Sequence, residues 1–279
     1  MHIYRHSDVL LSQLSELIPK TIGLVPTMGA LHKGHLSLIE KAVSENDWVI
    51  VTIFVNPTQF DSNTDLVNYP SNLEQDLELL SPFGEKLMVY TPRADDLYGE
   101  KAVAGSYQFD ILEKTMEGAS RSGHFQGVAT VVHKLLSVFK PTKAYFGEKD
   151  YQQLQIIHAL VAQLKLPVTI VDCPIVRETD GLAMSSRNTR LTPIQRAIAP
   201  VIYETLCKAV ALKKQTSILQ INEWVTAFFR EHPHIELDYF CVANNQTLQL
   251  VEETNGEENL RAFIAVKLGE VRLIDNVKF

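Results

Sequence analysis

Trp48-Val49-Ile50-Val51-Thr52-Ile53-Phe54-Val55 is a run of β-branched and aromatic residues with no charge or amide in it, closed by Asn56-Pro57. A strand with one wet face alternates apolar and polar residues. An uninterrupted run belongs to a strand covered on both faces, as in a parallel sheet between layers of helices. Upstream, residues 21–26 read as a second short strand. A Gly-containing loop follows, then a helix over residues 35–44, where Leu36, Ile39 and Val43 fall near a 3.6-residue period. Downstream, Ser71-x-x-Glu74 reads as a capping box opening a helix to Leu80, and residues 86–91 as a strand. Val128, Val131, Val132, Leu135, Leu136 and Phe139 form the inward stripe of a helix ended by Pro141. Residues 143–146 and 168–172 read as strands flanking a helix over 151–164. Strands alternating with helices over short connections predict an α/β fold, a doubly wound parallel sheet.

The pattern changes after about residue 179. Thr192-Pro193 is an N-cap followed by a first-turn proline, and it predicts one long helix to about residue 214. A second helix is expected over 217–231, then strands over 235–243, 260–268 and 271–274 with no helix between them. That is a smaller α+β unit with an antiparallel meander. The boundary falls between Cys173 and Ser185, giving expected domains of 1–176 and 177–279.

The 279 residues suit one large or two smaller domains. Hydrophobic residues at 46 % and charged residues at 21 % are ordinary globular values, so disorder is excluded. With 33 acidic and 26 basic residues and a formal charge of −7, and without a Lys/Arg run, the chain lacks the basic stripe of a nucleic-acid binder. Cys173, Cys207 and Cys241 are evenly spaced but lie in unlike neighbourhoods, and an odd count without C-x-x-C makes neither a disulfide framework nor a zinc knuckle. No charged-then-apolar leader and no stretch of about 20 apolar residues is visible, so a cytoplasmic protein without a membrane span is expected.

Four segments carry chemistry. The first is Pro26-Thr27-Met28-Gly29-Ala30-Leu31-His32-Lys33-Gly34-His35, at a strand-to-helix turn where open α/β sheets bind ligands. Gly29 and Gly34 allow close approach of a phosphate, and the helix N-terminus attracts an anion. His32 and His35, three apart, are placed to donate toward one anion as charge builds on a leaving group. Gly29-x-x-x-x-Gly34 is not a P-loop, because His35 and Leu36 replace the Lys and Ser/Thr that hold phosphate and magnesium. A bare H-x-x-H lacks a third zinc ligand. A Gly-rich turn with two incidental histidines is the plain alternative.

The second segment is Gly147-Glu148-Lys149-Asp150-Tyr151-Gln152-Gln153, again at a strand-to-helix turn. It is either a solvated charged turn or a place where Lys149 meets phosphate and Gln153 faces the same crevice. The third, Arg177 through Met184-Ser185-Ser186-Arg187, offers hydroxyls and a guanidinium fork, a good phosphate clamp that also arises by chance. In the fourth, Asn56-Pro57-Thr58-Gln59, the two amides either bind a polar substrate or cap the loop. Together these residues indicate a nucleotide-phosphate enzyme that works by positioning and charge stabilisation, and they leave its substrate open.

VPTMGALHKGH resembles the signature of the pantothenate synthetase family, within the HIGH-type nucleotidyltransferases. IFVNPTQF, EGASRSGHFQGVATVV, FGEKDYQQLQ, DGLAMSSRNTRL and the terminal RLIDN resemble that family's further blocks, in its order and over nearly the whole chain. The resemblance implies a homodimer of two-domain subunits, Rossmann-like with a smaller C-terminal lid. It implies a magnesium-dependent ligase making pantothenate, the coenzyme A precursor, with AMP and pyrophosphate, from ATP, pantoate and β-alanine through a bound pantoyl adenylate. It assigns ATP to Met28, Gly29, Ala30, Leu31, His32, Lys33, Gly34 and His35, to Gly147, Glu148, Lys149 and Asp150, and to Val176, Met184, Ser185, Ser186 and Arg187. Catalysis falls to His35, His32, Lys149 and Arg187. His35 is the family's proton donor, although carboxylate attack on phosphorus obliges no proton transfer and charge stabilisation suits it better. Gln59 and Gln153 would bind pantoate, with Asn56, Tyr69 and Arg121 nearby, and Asp76 would help hold magnesium. The chain departs from the family at Ser122, where proline usually follows the arginine. Within enzymes the rival is a nucleotidyltransferase that keeps AMP in its product; outside them it is a nucleotide-binding regulator, which would need His35 or Lys149 lost.

Overall fold

The computed structural model describes residues 1–61, 63–99, 101–253 and 259–279, and of residues 63 and 64 only the backbone. These residues form two compact units. The first comprises Met1–Glu148 and Gln153–Pro174, the second Lys149–Gln152 and Ile175–Phe279.

In the first unit six parallel strands, β1 (His2–Tyr4), β2 (Ile22–Thr27), β3 (Trp48–Ile53), β4 (Leu87–Tyr90), β5 (Lys143–Gly147) and β6 (Thr169–Cys173), lie in the order β1-β4-β3-β2-β5-β6. The doubly wound sheet read from the sequence is therefore present. Val49, Ile50 and Val51 of β3 are fully buried, as the uninterrupted run requires. Helix Lys33–Glu45 lays Leu38, Ile39 and Ala42 against Val25 of β2 and Val51 of β3. From β2 the chain winds toward β3, from β5 toward β6, and β2 pairs directly with β5 through Gly23–Lys143 and Leu24–Ala144. The winding thus reverses between these two strands. At such a switch point the loops leaving the carboxyl ends diverge and leave a crevice for a ligand. Those loops are Met28–His32 after β2 and the turn beginning at Glu148 after β5.

The N-cap expected at Ser71 lies one residue further on. The helix is Leu73–Leu80 and its N-cap is Asn72, whose side chain accepts from Gln75 N. Asparagine caps as well as serine, and the Asn72 carbonyl also accepts Asp76 N at 3.0 Å, the first intrahelical bond.

In the second unit β7 (Glu236–Asn244), β8 (Leu260–Leu268) and β9 (Val271–Lys278) form an antiparallel sheet in sequential order. The last strand runs past the expected residue 274. Helices Val201–Leu212 and Ile218–Arg230 bury Ile202, Leu206, Ile221 and Val225 with Ala262 and Ile264 of β8. The single long helix expected from Thr192 is two, Pro193–Ile198 and Val201–Leu212. Pro200 between them has no N–H to donate, and its ring obstructs the carbonyl four residues back. Thr192 is the expected cap and makes a full capping box with Gln195.

Candidate active site

The loop after β2 is held by contacts that a linear reading does not reveal. Gly29 has φ +81°, and a Cβ there would come within 2.8 Å of Asp76 Oδ2 and 3.0 Å of Ile53 Cγ2. Ala30 also takes a left-handed conformation, φ +49°, which costs a side-chain-bearing residue energy unless its surroundings enforce it. Asp76 enforces it. The carboxylate is 2 % exposed and accepts Ala30 N at 3.0 Å and Leu31 N at 2.7 Å. Burial pushes the Asp76 carboxyl up, and the amides of Leu31 and Ala30 pull it back. Thr27 completes the anchorage, accepting from Gly29 N at 3.2 Å while donating to Thr52 O at 2.6 Å.

His32 is the N-cap of helix Lys33–Glu45, and its Nδ1 accepts from Gly34 N at 3.1 Å. A ring nitrogen that accepts a backbone N–H carries no proton, so the proton of neutral His32 is on Nε2 and points away from the cap. The His35 ring lies 4.1 Å from the His32 ring, centroid to centroid. The first turn of this helix holds no acidic residue, and a helix N-terminus suits an anion.

Gln59 is brought to the same loop. Its Nε2 lies 3.0 Å from Met28 Sδ. Asn56 determines which way that amide faces. Asn56 Nδ2 donates to Gly127 O at 3.2 Å and to Gln59 Oε1 at 3.1 Å, while Asn56 Oδ1 accepts from Thr58 N at 3.3 Å, Thr58 Oγ1 at 3.0 Å and Tyr98 OH at 2.6 Å. A carbonyl such as Gly127 O only accepts, so the Asn56 orientation is fixed, and with it the outward donation of Gln59. Of the two readings of Asn56 drawn from the sequence, its contacts match the cap: it is 1 % exposed and heads the turn Pro57–Gln59. Burial pushes the Tyr98 hydroxyl up to about 12, so it stays a donor.

His124, for which the sequence offers no role, heads helix His124–Phe139 and links two expected site residues. Its Nε2 lies 3.0 Å from Arg121 Nη1 and its Nδ1 2.7 Å from Gln59 O. A guanidinium only donates and a carbonyl only accepts, so the buried ring is neutral with its proton on Nδ1. Arg121 thereby reaches the Gln59 backbone through His124. Tyr69 packs edge-on against Phe60, 5.8 Å between centroids. Gln153 lies in the first turn of helix Tyr151–Leu164 and Gly147 ends β5.

Glu148, the last residue of the first unit's longer segment, opens the turn Glu148–Asp150, and the other expected residues belong to the second unit. Lys149 and Asp150 pair at 3.4 Å. Val176 O accepts Met184 N at 3.0 Å, closing a hairpin whose turn is at Gly181, φ +91°. Ser185 caps the short helix Ser186–Arg190, its Oγ accepting Arg187 N at 3.2 Å. Accepting through oxygen keeps the hydroxyl hydrogen available for a ligand.

Among the described residues no group of three or more His, Cys, Asp or Glu is placed to hold a metal ion, and both oxygens of Asp76 are engaged by loop amides. Among the described residues no helix is long and apolar enough to cross a membrane.

The sequence matches the family described as pantoate-beta-alanine ligase over residues 3–278. It is 47 % identical to a pantothenate synthetase of Christiangramia forsetii over 279 residues, 99 % of each chain. The crystal structure of pantothenate synthetase from Thermus thermophilus superposes with a TM-score of 0.92 at 39 % identity, covering 100 % of this chain and 99 % of that one. Pantoate-beta-alanine ligase from Francisella tularensis, solved with a β,γ-ATP compound and β-alanine, gives 0.83 at 38 % identity, covering 100 % and 97 %.

Proposed function

Since the chain belongs to the pantoate–β-alanine ligase family, we propose that it joins pantoate to β-alanine in two steps through a bound pantoyl adenylate, consuming ATP. One observation carries the reading: Gln59, the expected pantoate amide, is held with its donor 3.0 Å from Met28 in the expected ATP loop. Acceptor and nucleotide groups are thus neighbours in one unit.

In the first step a pantoate carboxylate oxygen attacks the α-phosphorus and pyrophosphate leaves with the bonding pair. The helix N-terminus, His35 and the Nε2–H of His32 meet the charge that grows on the leaving oxygens. Lys149, Ser185, Ser186 and Arg187 take other phosphate oxygens. In the second step the β-alanine amine attacks the acyl carbon, AMP leaves, and the amine proton is lost to water or phosphate. Gln59 and Gln153 orient pantoate, with Tyr69 and Arg121 beside them. The magnesium implied by the family's reaction is assigned to the phosphate oxygens of the incoming nucleotide, as such ions commonly are, and no protein ligand is assigned. The working form is a cytoplasmic homodimer.

Pyrophosphate exchange tests the reading. Labelled pyrophosphate should enter ATP when pantoate is present and β-alanine absent, and should not enter when pantoate is omitted. A strict requirement for β-alanine would remove the adenylate; exchange without pantoate would remove the substrate assignment.

A further inference from the structure

Resting on the ATP site proposed above, we propose that Asp275 and Asn276, in the terminal RLIDN segment, are positioning residues. They fix the two phosphate-binding segments of the second unit, Lys149 on one side and Ser185–Arg187 on the other.

Neither residue is placed to touch a ligand. Asp275 is 4 % and Asn276 2 % exposed, and their polar atoms are engaged inside the unit. Asn276 serves Lys149. Its Nδ2 donates to Lys149 O at 3.0 Å, and its Oδ1 accepts from Arg261, itself 3 % exposed. The Arg261 guanidinium stacks 3.8 Å over the Tyr151 ring and donates to Asn245 Oδ1 at 3.4 Å, the same oxygen that accepts the Tyr151 hydroxyl. Residues 149–151 are therefore gripped by backbone, ring and hydroxyl.

Asp275 serves the other segment. It takes Arg177 in a fork, at 2.5 Å and 3.0 Å, and Arg177 also donates to Gly181 O at 3.1 Å and to Asn276 O at 3.3 Å. The guanidinium lies 3.8 Å from the Tyr203 ring. Arg177 bridges to Ala183, whose carbonyl accepts Asn188 Nδ2 at 3.1 Å. Arg177 is thus the root of the hairpin that delivers Ser185, Ser186 and Arg187. Asn276 N closes the two halves by donating to Asp275 Oδ1 at 2.7 Å. Successive strand residues face opposite ways, so two adjacent residues can hold two separate segments.

Burying Arg261 and the Asp275 carboxylate, with Arg177 half-buried against it, is a poor route to stability, because packed apolar side chains of similar volume are often as good or better. What such a network supplies is a defined geometry, and here the geometry ends at Lys149 and at the hairpin.

A crosswise set of variants of the full chain tests this, read first by amide hydrogen exchange. Asn276→Ala should raise exchange at 149–152, and Asp275→Asn at 177–187, with strands Glu236–Asn244 and Leu260–Leu268 protected as in the wild type. Where these fail to fold, Asn276→Ser and Arg177→Lys take their places; the lysine keeps the charge opposite Asp275 but loses the fork to it and the donation to Gly181 O. A rise spread evenly over the unit, or none, overturns the proposal whether or not the chain exchanges pyrophosphate, so its failure is separate from that of the ligase reading. The second readout is ATP affinity. Asn276→Ala should weaken it ~10-fold, within the range that small misplacements produce. It should weaken it far less in a Lys149→Ala background, while remaining additive with Arg187→Ala. Equal losses in the wild-type and Lys149→Ala backgrounds would show that Asn276 does not act through Lys149.

Discussion

Gly127 presses on Thr58. A Cβ built on Gly127 would stand 2.1 Å from Thr58 O and 2.6 Å from Gln59 Cα. Helix His124–Phe139 and the turn Pro57–Gln59 are thus in backbone contact, and the carbonyl of Gly127 accepts from Asn56 Nδ2 at 3.2 Å and Thr58 Oγ1 at 3.4 Å.

Gly127→Ala should therefore shift the turn and carry Gln59 with it. Overpacking of this kind costs ~1–3 kcal/mol, so the unfolding midpoint should fall and the KM for pantoate should rise. A variant with unchanged pantoate KM would show that the turn absorbs the methyl without moving Gln59.

His124→Ala removes the donor to Gln59 O and the acceptor for Arg121. The KM for pantoate should rise about tenfold, equivalent to roughly 1.4 kcal/mol, with a smaller change in kcat. Asparagine places an N–H close to where Nδ1 was, so His124→Asn should regain much of the loss. Identical kinetics for the alanine and asparagine variants would remove the positioning role.

His35→Ala should slow pyrophosphate exchange by ~10²–10³-fold, the usual loss for one preorganised donor, with little change in unfolding midpoint. Near wild-type exchange would end its role in charge stabilisation.

Glu45 gives a prediction in pH. Hydrogen bonds from Lys41, then Lys143 and Tyr145, lower its carboxyl from 4.5 to about 2. A carboxyl held low in the fold stabilises it above the unfolded value, and that contribution is lost as pH falls through the folded one. Glu45→Gln should thus be less stable than the wild type at neutral pH, and the gap should close between about pH 4.5 and pH 2. The group is partly exposed, so the gap is modest. Urea unfolding at a series of pH values reads it, and a gap constant with pH would contradict the assignment.

What the sequence disclosed follows from the range of each interaction. The parallel sheet was legible because burial on both faces leaves a local mark, as in 48–55. The loop after β2 was legible as a candidate site because glycine and histidine beside a strand end are a local pattern. The break at Pro200 was a local signal masked by the apolar periodicity on either side of it. Asp76 is 45 and 46 residues from the amides it holds, and Asn276 lies 127 residues from Lys149. No pattern within a helical or strand period connects such pairs. His124 sat in plain view, but only its two partners, one an obligate donor and one an obligate acceptor, reveal its state and use.

The segment Lys149–Gln152 packs with the second unit while the chain on both sides of it packs with the first. Recombination between relatives meets this as a constraint. A hybrid gene joined at the apparent border, taking residues 1–174 from one parent and 175–279 from another, inherits Tyr151 from one lineage and Asn245, Arg261 and Asn276 from the other. Viable crossovers there require the parents to agree at those four positions, or require the four-residue insert to travel with the C-terminal portion. The stretches before and after residue 174 are therefore not interchangeable cassettes, because the second unit is built from both of them.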